Sequence, residues 1–146
     1  MTMTPTSPRK LLALGFIAGF LATLIFHQSA WYLLNYGGVV PADQHAWPMD
    51  PIPPFGVPSV ISKAFWGGLW GALLALVLTL TTGGAYWLTA IVVGALAPSL
   101  VGMYVVPLIK GMPFPELWPR IAIASTVNGA WGLGTAMFLR VFGATR

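Results

Sequence analysis

The chain has no cysteine, only three acidic residues and only two histidines among its 146 residues. Without cysteine there is no disulfide, no thiolate metal site and no thiol nucleophile. The acids, Asp43, Asp50 and Glu116, all stand in loop-like sequence. No apolar stretch therefore offers paired carboxylates for acid–base work. No Ser-His-Asp spacing stands out, and the glycines lie inside apolar runs rather than in a phosphate-binding loop. The expectation is a protein that is not an enzyme and carries no cofactor or metal. A bis-histidine haem on His27 and His45, or a Cu(I) site from His45 and Met49 beside Trp47, would each rest on only two protein ligands.

Charge is scarce too. Charged residues make up 7% of the chain and hydrophobic residues 57%, whereas soluble domains carry about 25% charged residues. So few charges leave a soluble fold of this size without a polar surface. The expected solvent for most of the chain is lipid. The net charge of +4 comes from Arg9, Lys10, Lys63, Lys110, Arg120, Arg140 and Arg146. Only Arg9 and Lys10 are adjacent, so a nucleic-acid surface is not expected.

What the chain has in quantity is apolar length. Four stretches, 11–35, 59–80, 86–108 and 119–142, meet the requirement of about 20 apolar residues per crossing. The expected fold is all-α: an integral membrane bundle of four transmembrane helices, forming one domain. Arg9-Lys10 before an apolar run resembles the start of a signal peptide. The run is long for one, and Gln28 would stand at a key position of the cleavage site. An uncleaved first helix is the expectation. With the N-terminus in the cytoplasm, Arg9, Lys10, Arg140 and Arg146 lie inside, while Lys63, Lys110, Arg120 and all three acids lie outside. The excess of Lys and Arg inside is small but has the expected sign. Trp31, Tyr32, Tyr36, Tyr104 and Trp118 then mark the outer interface, and Tyr86 and Trp87 the inner one. The short inner link at 81–84 predicts that the second and third helices are antiparallel neighbours.

The outer loop, 37–58, holds Pro41, Pro48, Pro51, Pro53, Pro54 and Pro58. That much proline excludes a helix and favours stiff, extended chain. Trp47 and Phe55 suggest that it lies on the membrane surface or caps the bundle. The two halves of the chain also echo each other. Trp70-Gly71 aligns with Trp131-Gly132, and Gly68 with Gly129, each pair preceded by a proline-rich segment, Pro53-Pro54-Phe55 and Pro113-Phe114-Pro115. Such an echo corresponds to a parallel repeat about the membrane normal.

Helices in lipid associate through small residues that let backbones approach. Gly15 and Gly19, Gly67 and Gly71, Gly94 and Gly102, and Gly129 with Gly132 supply such stripes, either within the chain or between copies. Pro98, inside the third helix, removes a backbone hydrogen bond and predicts a kink, with Ser99 placed to satisfy the freed carbonyl.

Polar groups at membrane depth are costly. His27, Gln28, Lys63, Ser125 and Asn128 are the candidates for a cavity open to the outer face. Each also has a structural explanation: Lys63 reaching to headgroups, His27 and Asn128 bonding neighbouring helices. Two functions follow. One is a non-catalytic accessory or scaffold that packs against membrane partners or copies of itself. The other is a small oligomeric transporter or channel built around His27, Lys63 and Asn128.

Pro53-Pro54-Phe55-Gly56-Val57-Pro58, then Ala64-Phe65-Trp66-Gly67-Gly68-Leu69-Trp70-Gly71, together with Phe26-His27-Gln28 and Asn128-Gly129-Ala130-Trp131-Gly132-Leu133-Gly134, resemble a group of small, uncharacterised four-span inner-membrane proteins of proteobacteria. The resemblance covers nearly the whole chain. It implies a bacterial inner membrane and carries over no activity and no functional residue.

Overall fold

The structure is a computed structural model that describes residues 6–145; Arg146, counted above on the inner side, lies outside them. It is mostly helical. Four helices succeed one another: α1 (Pro8–Tyr36), α2 (Ser59–Leu78), α3 (Gly83–Lys110) and α4 (Arg120–Val141). Three of them, α1, α2 and α3, are long and apolar enough to cross a membrane. α4 has 22 residues but carries Ser125, Thr126, Asn128 and Thr135. It is also rich in buried positions, from Val127 and Trp131 to Leu139. Its polar side chains meet partners inside the protein: Thr126 and Thr135 donate to carbonyls one turn back at 2.8 and 2.9 Å. A helix with much of its surface packed against α1 and α3 needs less apolarity than one facing lipid all round.

Local sequence sets the ends. Ser7 caps α1 by accepting the Lys10 N–H at 3.4 Å, and Pro8 occupies the first turn, where no N–H is required. α3 stops at Gly111, whose φ of 63° is left-handed, a conformation that costs glycine nothing. α2 lacks a side-chain cap. Its first N–H groups go instead to loop carbonyls, Ser59 N to Asp50 O at 3.0 Å and Val60 N to Pro48 O at 2.9 Å.

The helices pack as two hairpins. α1 lies along α2 and α3 along α4, and the hairpins meet chiefly through α1 and α4. The expected pairing of α2 with α3 is therefore corrected. The short link does join them, but they touch only sparsely. Glycine explains why: the close seams lie elsewhere. A Cβ on Gly19 would strike the Gly67 carbonyl and lie 2.8 Å from Gly71 Cα; one on Gly94 would lie 3.0 Å from the Asn128 carbonyl and 2.8 Å from Gly132 Cα. A Cβ on Gly71 would strike the Gly15 carbonyl and approach Gly19 Cα; one on Gly132 would strike the Ala90 carbonyl and approach Gly94 Cα. The second seam is thus a register-matched copy of the first. One shift carries Gly15 and Gly19 onto Ala90 and Gly94; the shift that aligns Trp70-Gly71 with Trp131-Gly132 carries Gly67 onto Asn128. Two stripe members stand apart. Gly129 faces α3 at ordinary van der Waals distance, 3.5 Å from Ala95, and Gly102 meets nothing.

Tyr86 corrects another expectation. It is not an interfacial anchor but fully buried, its hydroxyl 2.8 Å from the Ala136 carbonyl and 2.7 Å from Thr145 Oγ1. The Arg140 guanidinium lies over both the Tyr86 and Trp87 rings, 4.4 and 5.4 Å from their centroids.

The proline-rich loop departs from a simple extended connector. Two short antiparallel strands, β1 (Pro51–Ile52) and β2 (Val57–Pro58), pair within it and present Phe55 at the exposed tip. The rest folds back on the C-terminal half of α1. Trp31 Nε1 donates to Gln44 O at 2.9 Å and Asn35 Nδ2 to Pro41 O at 2.8 Å.

Candidate functional site

The C-terminal half of α1 is not regular. Thr23–His27 form a π-helical turn, a feature that frequently marks functional positions. The Gln28 N–H bonds back to Thr23 and Ile25 carbonyls and bypasses Leu24. The Leu24 carbonyl accepts the indole N–H of Trp47 at 2.7 Å. Trp47 is further fixed by its backbone N–H, which donates to Gln28 Oε1 at 2.8 Å. It holds a left-handed φ of 51°, uncommon for a bulky residue and sustained here by these two bonds. The loop is thereby latched to the widened turn of α1.

The turn aims Thr23 and His27 at the space between the hairpins. There, Thr23, His27, Lys63, Trp66, Gly67, Trp70, Pro98, Asn128 and Trp131 line a cleft of about 240 Å³ to which all four helices contribute. Of the sequence candidates, His27, Lys63 and Asn128 come together in it. Gln28 and Ser125 do not line it. Gln28 is buried against the loop, holding Trp47 and lying 3.3 Å from His27 Nδ1. Asn128 donates to Ser99 Oγ at 2.9 Å, so Ser99 serves the α3–α4 contact. α3 runs on through Pro98 and widens into a second π-helical turn at Val101–Val105.

Depth follows from helix rise. At 1.5 Å per residue, Lys63 lies about 6 Å from the start of α2 and Trp70 about 16 Å, and the hydrocarbon core is about 30 Å thick. The cleft thus runs from near the N-terminal end of α2 to about midway along it. Above it lies a second, larger chamber of about 570 Å³ beneath the loop, lined by Trp31, Asp43, Gln44, His45, Trp47, Asp50 and their neighbours, and again by Lys63. Lys63 is the residue shared by the two. It is exposed, and no hydrogen bond or ion pair reaches its ammonium among the described residues. No group of three or more His, Asp or Glu side chains is gathered for a metal among the described residues.

Sequence reasoning missed Thr23 and the aromatic walls. In the sequence Trp70 and Trp131 stand out only as marks of the repeat. The available signal for the two tryptophans was their equivalent placement in the two repeated helices. Comparison with family models, curated proteins and solved structures finds no match.

Proposed function

We propose that the chain crosses the bacterial inner membrane four times, with both ends cytoplasmic, and binds a polar ligand in a cleft that opens toward the outer face, as a small carrier does. The observation that carries this is the convergence of His27, Lys63 and Asn128, from three separate helices, on one cleft continuous in its lining with the chamber under the loop. Intramembrane ionisable groups gathered on an internal cavity mark ligand or ion paths, and a site near mid-depth between two repeated halves is the usual place for a carrier's substrate. Four crossings are supported by the pairing of α4 with α3 along its length and its contacts with α1. The orientation rests on Arg9, Lys10 and Arg140 near one end of the bundle and the acids near the other.

The accessory or scaffold reading drew on the small-residue stripes, open to packing within the chain or between copies, and on the scarcity of catalytic residues. Gly15, Gly19, Gly67, Gly71, Gly94 and Gly132 are occupied by contacts inside the chain, which favours the cleft. The test uses the lack of native cysteine. Asn128→Cys is expected to react with a membrane-impermeant thiol reagent added from the outer side of intact cells, whereas Leu73→Cys on the lipid-facing side of α2 stays unlabelled. Failure to label Asn128→Cys from outside in folded protein overturns the proposal.

A further inference from the structure

We infer that the cleft and the chamber above it form one site for an outer-leaflet amphiphile whose head carries an ammonium and a phosphate, with the ammonium outermost. The inference rests on the outward-facing cleft and names what enters it. The charges are layered. Asp43 and Asp50 line the chamber, Lys63 stands at its junction with the cleft, and Trp66, Trp70, Trp131 and Pro98 wall the space below. From water inward the order is negative, positive, apolar. A zwitterionic head on an apolar body has the complementary order.

Each part of that ligand meets a suitable group. The phosphate is served by Lys63, a cation with no partner among the described residues and one commonly used as a point charge for phosphate. Indole rings suit the boundary between a polar head and an apolar body. His27 and Asn128 supply hydrogen-bond donors at the depth of the ester-bearing backbone of such a molecule, whereas Thr23 has its proton committed to the Gly19 carbonyl. Asn128 gives one Nδ2 hydrogen to Ser99, and the second remains to donate to an ester oxygen.

Volume decides how the rest is held. A cleft of about 240 Å³ accommodates a head and backbone, not two acyl chains. The chains need a lateral exit, and the sparse contact between α2 and α3 leaves one on the side where Trp66, Leu69 and Leu73 are exposed. A free water-soluble zwitterion needs no such exit, so the lipid is the occupant the geometry favours.

The experiment presents the purified full chain, in mild detergent, with equimolar phosphatidylethanolamine and phosphatidylglycerol, and reads retained lipid by native mass spectrometry. Wild type is expected to retain phosphatidylethanolamine about tenfold over phosphatidylglycerol, the worth of one charge-assisted hydrogen bond. Lys63→Gln lowers retention of both lipids about tenfold, and Lys63→Arg restores it, which excludes misfolding as the cause. The double substitution Asp43→Asn with Asp50→Asn removes the preference while leaving phosphatidylglycerol bound as before. Equal retention of both lipids by wild type, or unchanged retention in Lys63→Gln, overturns the inference. So does displacement of the lipid by millimolar phosphoethanolamine, which would make a soluble solute the ligand. If Asn128→Cys labels from outside and the lipid preference is absent, this inference falls alone; if labelling also fails, the outward-facing cleft falls with it.

Discussion

The indole N–H of Trp131 donates to the carbonyl oxygen of Gly19 at 3.0 Å, joining α4 to α1 across the boundary between the hairpins. The same carbonyl accepts the hydroxyl of Thr23 at 2.9 Å. Gly19 is thus doubly engaged: its missing side chain admits α2, and its oxygen holds α4. Trp131 also walls the cleft, so the bond that joins the hairpins also shapes the site.

Trp131→Phe keeps an aromatic ring but loses this donor. Interhelical hydrogen bonds in membranes contribute about 0.6 kcal/mol on average, and the smaller ring leaves a gap beside it. The expected loss is about 1–2 kcal/mol, measured by reversible denaturation in mixed micelles. An unchanged midpoint would show that the hairpins are held together elsewhere.

The seams respond differently at different glycines. Gly94→Ala places a methyl 2.8 Å from Gly132 Cα, against backbone that has no room to move aside. Overpacking of this kind costs about 1–3 kcal/mol. Gly102→Ala adds a methyl where nothing lies within 4 Å and is expected to be neutral or to stabilise by up to about 1 kcal/mol through helix propensity. Thermal unfolding of the two variants side by side checks the contrast; similar losses for both would be incompatible with the seam as described.

Trp47→Phe removes the indole donor to the Leu24 carbonyl and leaves the backbone bond to Gln28 in place. With one latch lost, at a cost of about 1 kcal/mol, local opening of the loop should increase about fivefold. Amide hydrogen exchange over residues 37–58 reads this directly. Exchange across α4 should not change.

Tyr86→Phe removes a buried hydroxyl that bridges the Ala136 carbonyl and Thr145. The expected cost is about 1 kcal/mol. Tyr86 lies toward the opposite end of the bundle from Lys63, so ligand retention should remain at the wild-type level. A variant that keeps its stability but loses ligand would show that the two ends communicate.

Much of the helical layout was legible because apolar length and helix punctuation are local properties. The spans expected at 59–80, 86–108 and 119–142 differ from α2, α3 and α4 by at most three residues at any end. The glycine stripes were legible for the same reason, since spacing of four places residues on one face. Which stripe meets which was not. That depends on backbone shape across distant parts of the chain, and a short inner link suggested a neighbour that the glycines do not select. The π-helical turn of α1 was invisible too, because nothing in Thr23–His27 announces it; it accompanies a bond from Trp47, a residue in the following loop. His27, Lys63 and Asn128 were identifiable as costly in lipid, but their convergence depends on that pairing. Gln28 carried the same signal and serves the loop instead.

The Gly19–Trp131 bond spans 112 positions of the chain, and this has a consequence for biogenesis. The first hairpin can close its glycine seam as soon as α2 has been synthesised, but the face of α1 that receives α4 must wait until α4 follows. During that interval Gly19 and its neighbours stand open to lipid and to other nascent segments. A chain stalled before α4 would present a recognisable half-built surface to membrane quality control, whereas the finished chain conceals it. Of the four helices, α4 is therefore the one that certifies assembly.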